Sequence, residues 1–426
     1  MNLEQIYNHY LEANSVTIDS REIYPGSIFF ALKGDRFNGN EYAAEAIQKG
    51  SKFAVVDEEK YAKDNRYILV DNVLKTLQAL AHHHRKQLTT QIIAITGSNG
   101  KTTTKELSQK VLEKQFNVLS NIKNYNNHIG LPLTLLNLKE YHDYAIVEMG
   151  ANHRGEIEAL CNIAEPESGL ITNIGKAHLE GFGSFEGVRK AKGELYDFLN
   201  QNNGVIFYNA DNSILKEMTD KFSCAKYSYG THENSFCQGQ LINTEPFIEV
   251  NTQFGKVSPQ LIGEYNFENI MAALCIGKYF NINFDNIKQA IEEYIPENNR
   301  SQLIKTKSNT VILDAYNANP SSMQAAISNF ANLKEKSKIL ILGDMFELGK
   351  YSKEEHRNLI EYLTRYNFEK VFLVGNNFYA LQQNNYPVYK TTDEFISFLR
   401  QNPLDNHHIL IKGSRGMTLE KITKYL

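Results

Sequence analysis

A chain of 426 residues, 42% of them hydrophobic and 22% charged, holds enough apolar material for two to four domains with separate cores. Its formal net charge of −4 argues against a nucleic-acid partner gripped by a broadly basic surface. No apolar run nears the roughly 18 residues of a membrane span, no secretory signal is legible, and the scattered Cys161, Cys224, Cys237 and Cys275 form no CxxC pair, which leaves a reduced, cytoplasmic, globular enzyme without a membrane partner.

Along residues 1–88, short strands at Ser27 to Leu32, Phe53 to Val56 and Tyr67 to Val70 alternate with helical stretches such as Glu41 to Lys49. This is the pattern of a small α/β domain. His82-His83-His84 sits in a helical stretch from Leu77 to Leu88. Consecutive helix positions face different directions, so the triplet reads as a solvated helix surface rather than a metal site.

The second region, residues 89–297, opens with the most informative segment, Ile92-Ile93-Ala94-Ile95-Thr96-Gly97-Ser98-Asn99-Gly100-Lys101-Thr102-Thr103-Thr104. It reads as a buried strand, a glycine-bearing turn and a helix start. Backbone N–H groups at such a turn point outward together, and the helix dipole favours an anion there. Lys101 adds a positive charge for nucleotide phosphates, and Thr102 a hydroxyl suited to Mg²⁺. The spacing departs from the usual P-loop, because Gly97 and Gly100 enclose two residues rather than four. Further buried strands are expected at Tyr144 to Glu148, Gly169 to Ile174 and Gly204 to Asn209, with helices between several of them. That pattern predicts a largely parallel sheet covered on both faces. Ligands bind at the carboxyl ends of such strands, which draws the loops after Thr96, Glu148 and Asn173 together. Residues 225 to 262 read as a β-rich elaboration, followed by a helix from Phe267 to Phe280.

The third region, residues 298–426, alternates strands (Thr310 to Leu313, Lys338 to Leu342, Lys370 to Val374, His408 to Ile411) with helices (Ser322 to Leu333, Lys353 to Tyr366, Met417 to Tyr425). The expected fold is therefore α/β in three domains. A small N-terminal unit precedes a central P-loop-type ATPase sheet, and a Rossmann-like C-terminal unit without a G-x-G-x-x-G fingerprint follows.

Three polar groups fall where buried strands should end. Glu148 closes an apolar run, His178 follows the strand-like segment from Leu170, and Lys192 is expected early in a helix. A carboxylate and an imidazole beside a triphosphate would let Mg²⁺ bridge protein and phosphate oxygens. Read singly, Glu148 could equally be a strand-end surface acid and His178 a loop hydrogen-bonder; their shared place at the carboxyl edge favours the site.

Thr96-Gly97-Ser98-Asn99-Gly100-Lys101-Thr102-Thr103 resembles the nucleotide loop of the Mur ligases, ATP-dependent amide-forming enzymes of peptidoglycan synthesis. Supporting segments run through all three regions. They include Asp19-Ser20-Arg21, Tyr125-Asn126-Asn127-His128-Ile129-Gly130, Glu148-Met149-Gly150-Ala151-Asn152-His153, Asp314-Ala315-Tyr316-Asn317-Ala318-Asn319-Pro320, Gly343-Asp344-Met345-Phe346-Glu347-Leu348-Gly349 and Lys412-Gly413-Ser414-Arg415-Gly416. Two third-region segments, Tyr-Asn-Ala-Asn-Pro and Gly-Asp-Met-x-Glu-Leu-Gly, are most similar to the branch that adds D-alanyl-D-alanine to UDP-N-acetylmuramoyl-tripeptide.

The resemblance implies roles by position. Gly97, Ser98, Asn99, Gly100, Lys101, Thr102 and Thr103 would hold the ATP phosphates. Thr102 and Glu148 would hold one Mg²⁺ and His178 a second. Lys192 matches a lysine the family carries as a carbamate (N6-carboxylysine), a Mg²⁺ ligand in that form; the alternative is an ordinary lysine paired with phosphate. Asn266 and Asn269 match the adenine-contacting segment, and Arg300, Asp314 and Asn317 match positions near ribose, phosphates or the incoming amine. Ser20, Arg21 and Lys33 fall where the first domain would hold the UDP end. Asn126, Asn127, Asn152 and His153 would line the route of the muramoyl-peptide. The chain departs from the family pattern at Asn38-Gly39-Asn40, at Tyr265 and at Leu313, none of which is a phosphate or metal group. A single chain is expected to act as a monomer. A sister Mur ligase, a folylpolyglutamate-synthase-like ligase and a nucleotide-binding module without ligase chemistry are the competing readings.

Overall fold

Three large sheets follow one another along the chain, with a small two-stranded one (Lys33–Gly34 against Phe37–Asn38) beside the first, in the computed structural model, which describes residues 2–121, 124–297, 299–381 and 385–426. The first has four parallel strands, Val16–Thr17, Ile28–Phe30, Phe53–Val56 and Tyr67–Leu69, in that order. The central sheet has nine. Its parallel part runs Cys237–Asn243, Ala225–Gly230, Val205–Asn209, Ser168–Ile171, Gln91–Thr96, Tyr144–Glu148, Val118–Ser120. Antiparallel Glu249–Thr252 and Gly255–Val257 extend its far edge, which is the expected β-rich elaboration. The third sheet has six strands. Only Gln302–Lys305, against Thr310–Asp314, is antiparallel. The expected boundary between the second and third regions falls on Asn298, outside the described residues.

Gln91–Thr96 sits between two parallel neighbours, and Ile92 to Ile95 are fully buried. The two faces of the pleat go to different cores. Ile93 and Ile95 join Leu107 and Val111 of the helix Lys101–Leu112 and Ile270 and Leu274 of Asn266–Tyr279. Ile92 and Ala94 join Leu160 of Glu156–Ala164 and Leu195 of Phe185–Gln201. Each such aliphatic side chain contributes about 1.5–3 kcal/mol by leaving water, so this doubly covered strand is a firm base for the loop that follows it.

The register then places the loops. Ile95 pairs with Glu148 and Thr96 with Ile171, so the carboxyl ends of three adjacent strands lie side by side. The helix Val73–Lys86 leaves the first sheet and packs on the central region: Arg85 Nε donates to Ala164 O at 3.0 Å, and a ring nitrogen of His84 lies 3.1 Å from Leu138 O.

Four expectations need correction. Met417 to Tyr425 is not an α-helix but two 3₁₀ turns, Arg415–Met417 and Leu419–Tyr425, broken by Thr418 at φ +52°. Leu419 and Ile422, three apart, both bury against the third sheet, and that spacing suits three residues per turn. The strand expected to Ile174 ends at Ile171, because Thr172 and Asn173 turn to bond the glycine loop. Lys192 lies in the middle of Phe185–Gln201, not early in it, since the helix starts at the Ser184 cap. The histidine triplet is not uniformly solvated: His84 is buried between Tyr7 and Tyr10, while His82 pairs with Glu165. All four cysteines are free and buried, and among the described residues no helix is long and apolar enough to cross a membrane.

Candidate active site

Two glycines let the loop after Thr96 fold back on itself. Gly97 has φ +141° and Gly100 φ +79°. A Cβ on Gly97 would sit 2.0 Å from Thr172 Oγ1, and one on Gly100 2.4 Å from Asn269 Oδ1, so both conformation and space demand glycine. The neighbouring strand end holds the loop: Ser98 N donates to Asn173 O (3.0 Å), Asn99 N to Asn173 Oδ1 (3.0 Å), and Thr172 Oγ1 to Asn99 O (2.6 Å). Those contacts occupy the Ser98 and Asn99 amides. The N–H groups of Lys101, Thr102 and Thr103, in the first turn of Lys101–Leu112, have no intrahelical acceptor and face an anion site. Lys101 Nζ arches over the loop to Gly97 O (2.7 Å) and Ser98 O (3.3 Å). Burial lowers its pKa.

Glu148, read above as a possible surface acid, is 5% exposed. Thr102 Oγ1 donates to its Oε2 at 2.7 Å and Asn126 Nδ2 to its Oε1 at 2.8 Å, while the Asn121 side chain clamps its backbone N–H and C=O. Burial pushes the carboxyl up, but Lys101, Arg300 and those two hydrogen bonds outweigh it and keep the acid below its ordinary range. Glu148 is thus an ionised carboxylate beside a threonine hydroxyl.

Lys192 is only 1% exposed. Its Nζ has one long contact, 3.5 Å to Ala151 O, and lies 5.4 Å from the Phe182 ring centre. Burial first, and then the charge of Lys101, brings its pKa down to about 7. His178 has φ +52° and meets Glu347 of the third region, Nδ1 to Oε2, at 2.5 Å.

These groups line one cleft of about 610 Å³ at the carboxyl ends of the central strands, which also takes in Asn127, Asn152, Asn266, Asn269, Arg300, Asp314 and Asn317. Asn269 Nδ2 donates to Asn266 Oδ1 (2.8 Å) and Thr104 Oγ1 to Asn269 Oδ1 (3.0 Å), so this pair is anchored on the loop helix. The Arg300 guanidinium lies 3.7 Å from the Tyr316 ring centre, with its buried Nε unpartnered. Asp314 is tied to Lys412 at 2.6 Å. An unpaired buried guanidinium N–H is costly, and a polyphosphate would satisfy it.

Ser20, Arg21, Lys33 and His153 are not part of this lining. Arg21 is bound to Asp19, and Lys33 bridges Asp57 (2.9 Å) and Glu58 (3.0 Å) on the first region. His153 is exposed and meets Glu156 at 3.2 Å. Sequence reasoning assigned no role to Glu347, Asn319, Lys412 and Arg415, although their segments were singled out. Asn319 Nδ2 donates to Asn99 Oδ1 at 2.8 Å and so joins the third region to the loop. Its capping box with Ser322 and the following Pro320 were the available signal.

A second cavity of about 750 Å³ lies at the amino ends of the central strands, lined by Glu158, Glu165, Glu167, Glu194 and Asp197 with Lys86 as its one cation among the described residues. Five carboxylates repel a triphosphate, so the cleft at the carboxyl ends of the strands is the better match to an anionic ligand. Among the described residues no group of three His, Cys, Asp or Glu side chains forms a metal site. The cleft instead offers an ionised carboxylate, a hydroxyl and an imidazole, which suits Mg²⁺ completing its shell with phosphate and water oxygens.

Comparison with known proteins agrees with this layout. Family profiles described as the Mur ligase family catalytic domain, middle domain and glutamate ligase domain match residues 12–85, 95–277 and 299–415. The UDP-N-acetylmuramoyl-tripeptide–D-alanyl-D-alanine ligase of Bacillus subtilis (strain 168) is 34% identical over 431 residues, covering 97% of this chain and 93% of its own. The structure of MurF from Acinetobacter baumannii superposes with a TM-score of 0.87 at 28% identity, covering 99% of this chain and 98% of that one. MurF ligase from Thermotoga maritima, solved in complex with ADP, gives 0.86 at 25% identity, with 98% and 97% covered.

Proposed function

The chain belongs to the Mur ligase family, and from that premise we propose that it joins the amine of D-alanyl-D-alanine to the terminal carboxylate of UDP-N-acetylmuramoyl-tripeptide, with cleavage of ATP, in cytoplasmic peptidoglycan precursor synthesis. The observation that carries this reading is the convergence of Lys101, Thr102, Glu148 and Lys192 with residues of the third region in one cleft.

A carboxylate does not acylate an amine at neutral pH, because oxide is a poor leaving group. In the proposed sequence a carboxylate oxygen attacks the γ-phosphorus as the bond to the β,γ-bridging oxygen breaks, and ADP leaves. The amine then attacks the acyl phosphate carbon, a proton is lost, and phosphate departs with the electron pair of the C–O bond. Lys101 and the free amides of the first helical turn stabilise negative charge on the transferring phosphoryl group. Arg300 offers its unpartnered N–H to the nucleotide, and Asn266 and Asn269 hold the adenine end. Gly97, Ser98 and Asn99 shape the loop. Asp314 and Asn317 orient Lys412 beside the third-region wall.

Bound Mg²⁺ would supply positive charge to the phosphate oxygens, one ion held by Thr102 and Glu148 and a second by His178. Lys192 fits a carbamate: an amine whose pKa burial brings down to about 7 has a substantial neutral fraction near neutral pH, and the neutral amine can attack CO₂, losing a proton to become an anion. Among the described residues no carboxylate forms an ion pair with it, and its one hydrogen bond is the long contact to Ala151 O. Residues 1–88 hold the uridine end through Ser20, Arg21 and Lys33, and Asn126, Asn127, Asn152 and His153 guide the peptide. One chain supplies the whole cleft, so a monomer suffices.

The test is ADP release with UDP-N-acetylmuramoyl-tripeptide present and the amine varied. Turnover with D-alanyl-D-alanine, and not with single amino acids or glutamate, is the expected result. Turnover with a single amino acid instead would transfer the chain to a sister ligase.

A further inference from the structure

Resting on the ligase reading above, we infer that Glu347 is a positioning residue that acts through His178: its carboxylate keeps the imidazole proton on Nδ1, so that Nε2 is free to ligate Mg²⁺ while the third region is docked. The two side chains come from different regions and meet at 2.5 Å, Nδ1 to Oε2. Nδ1 is buried and makes no aligned hydrogen bond, which leaves Glu347 as the acceptor in its reach. Both side chains line the cleft beside Lys101. An imidazole binds a metal only through a ring nitrogen that carries no proton, and the partner of the other nitrogen decides which one that is. With Nδ1 committed to a carboxylate, the lone pair stays on Nε2.

Both partners are held firmly. The strand Lys338–Gly343 runs into Asp344-Met345-Phe346-Glu347-Leu348. Met345 and Leu348 are buried in the core that also takes Leu179 and Phe182, so Glu347 between them is turned outwards, its side chain about half exposed. Met345 N donates to His356 Nε2 (3.0 Å) and Phe346 N to Ser414 Oγ (2.9 Å), which fixes the loop. On the other side His178 caps the short helix Leu179–Phe182, and Phe182 N donates to its carbonyl at 3.1 Å. Glu180 N donates to Glu347 O at 3.3 Å, and a Cβ on Gly349 would lie 3.0 Å from Glu180 Cβ, so the two loops pack closely. His178 (φ +52°) and Glu347 (φ +62°) both adopt the left-handed backbone that non-glycine residues avoid. Such conformations persist where the surroundings over-determine them, and they cluster at functional sites.

The experiment first reads the ring itself, in full-length ¹⁵N-histidine enzyme with ADP and no divalent cation at about pH 8, the His178 signals being assigned by their loss in His178→Gln. The unaltered enzyme should show the Nδ1–H tautomer. Glu347→Gln should keep it, because the amide oxygen still accepts, and Glu347→Ala should shift it towards Nε2–H. Mn²⁺ titrated into the ADP complex and followed by electron paramagnetic resonance should bind about ten- to hundredfold more weakly to Glu347→Ala. The isosteric Glu347→Gln should stay within roughly fivefold of the unaltered affinity, which guards against a folding effect of the alanine variant. An Nε2–H or doubly protonated ring in the unaltered enzyme, an Mn²⁺ affinity untouched by Glu347→Ala, or an equal loss in both variants overturns the assignment. Neither readout uses the UDP-substrate or the amine, so failure to ligate D-alanyl-D-alanine would instead strike the ligase reading on which it rests.

Discussion

Lys192 illustrates how far a single residue can be understood from its surroundings. A lysine 1% exposed, with no ion-paired carboxylate among the described residues, is a poor cation and a good amine. The account predicts that Lys192→Ala lowers kcat by roughly 10²–10³, as for removal of other groups that organise charge at the transition state. It also predicts that stripping dissolved CO₂ lowers the activity of the unaltered enzyme. Circular dichroism checks that the variant folds, and full activity without CO₂ contradicts the carbamate. Lys101, Thr102 and Glu148 were legible in the sequence because each follows directly from a strand end and a glycine turn. The approach of Glu347 to His178 was not. It joins positions far apart in the chain through a loop whose path only the packed third sheet determines.

At the level of elements, the parallel register of three strands is what aligns the phosphate loop, Glu148 and the Thr172–Asn173 turn. Hydrophobic runs announced those strands, although their ends shifted by a few residues wherever side chains bonded across loops. The last turns of the chain differ from the expected α-helix because a spacing of three between apolar residues fits both helix types, and the left-handed Thr418 divides the segment in two. The helix Val73–Lys86 carries a pH-sensitive joint. His84 is held neutral by burial, with Tyr7 OH at 3.1 Å from Nδ1 and Leu138 O at 3.1 Å from Nε2. Its folded pKa lies below the ordinary 6.5, so below that pH the unfolded chain binds the extra proton and folding stability falls. Thermal midpoints should therefore drop as pH goes from 6.5 towards 5, and His84→Gln should flatten that slope. An identical slope in the variant would remove His84 as its cause.

The whole molecule brings its third region onto the nucleotide loop through several contacts at once. Lys176 pairs with the buried Glu355 at 2.7 Å, Asn319 reaches Asn99, and Tyr351 OH donates to Gly183 O at 3.1 Å. In the proposed reaction, contacts of this kind would help to keep water from an acyl phosphate. The α/β character of all three regions could be read from alternating strand and helix patterns. Their mutual docking could not, since it depends on single polar side chains meeting across loops. The central claim, that the cleft transfers a phosphoryl group to the tripeptide acid before the amide forms, is tested most directly with ¹⁸O in that carboxylate. Each turnover should deliver one ¹⁸O into inorganic phosphate while the amide keeps the other. Phosphate free of label would contradict the account.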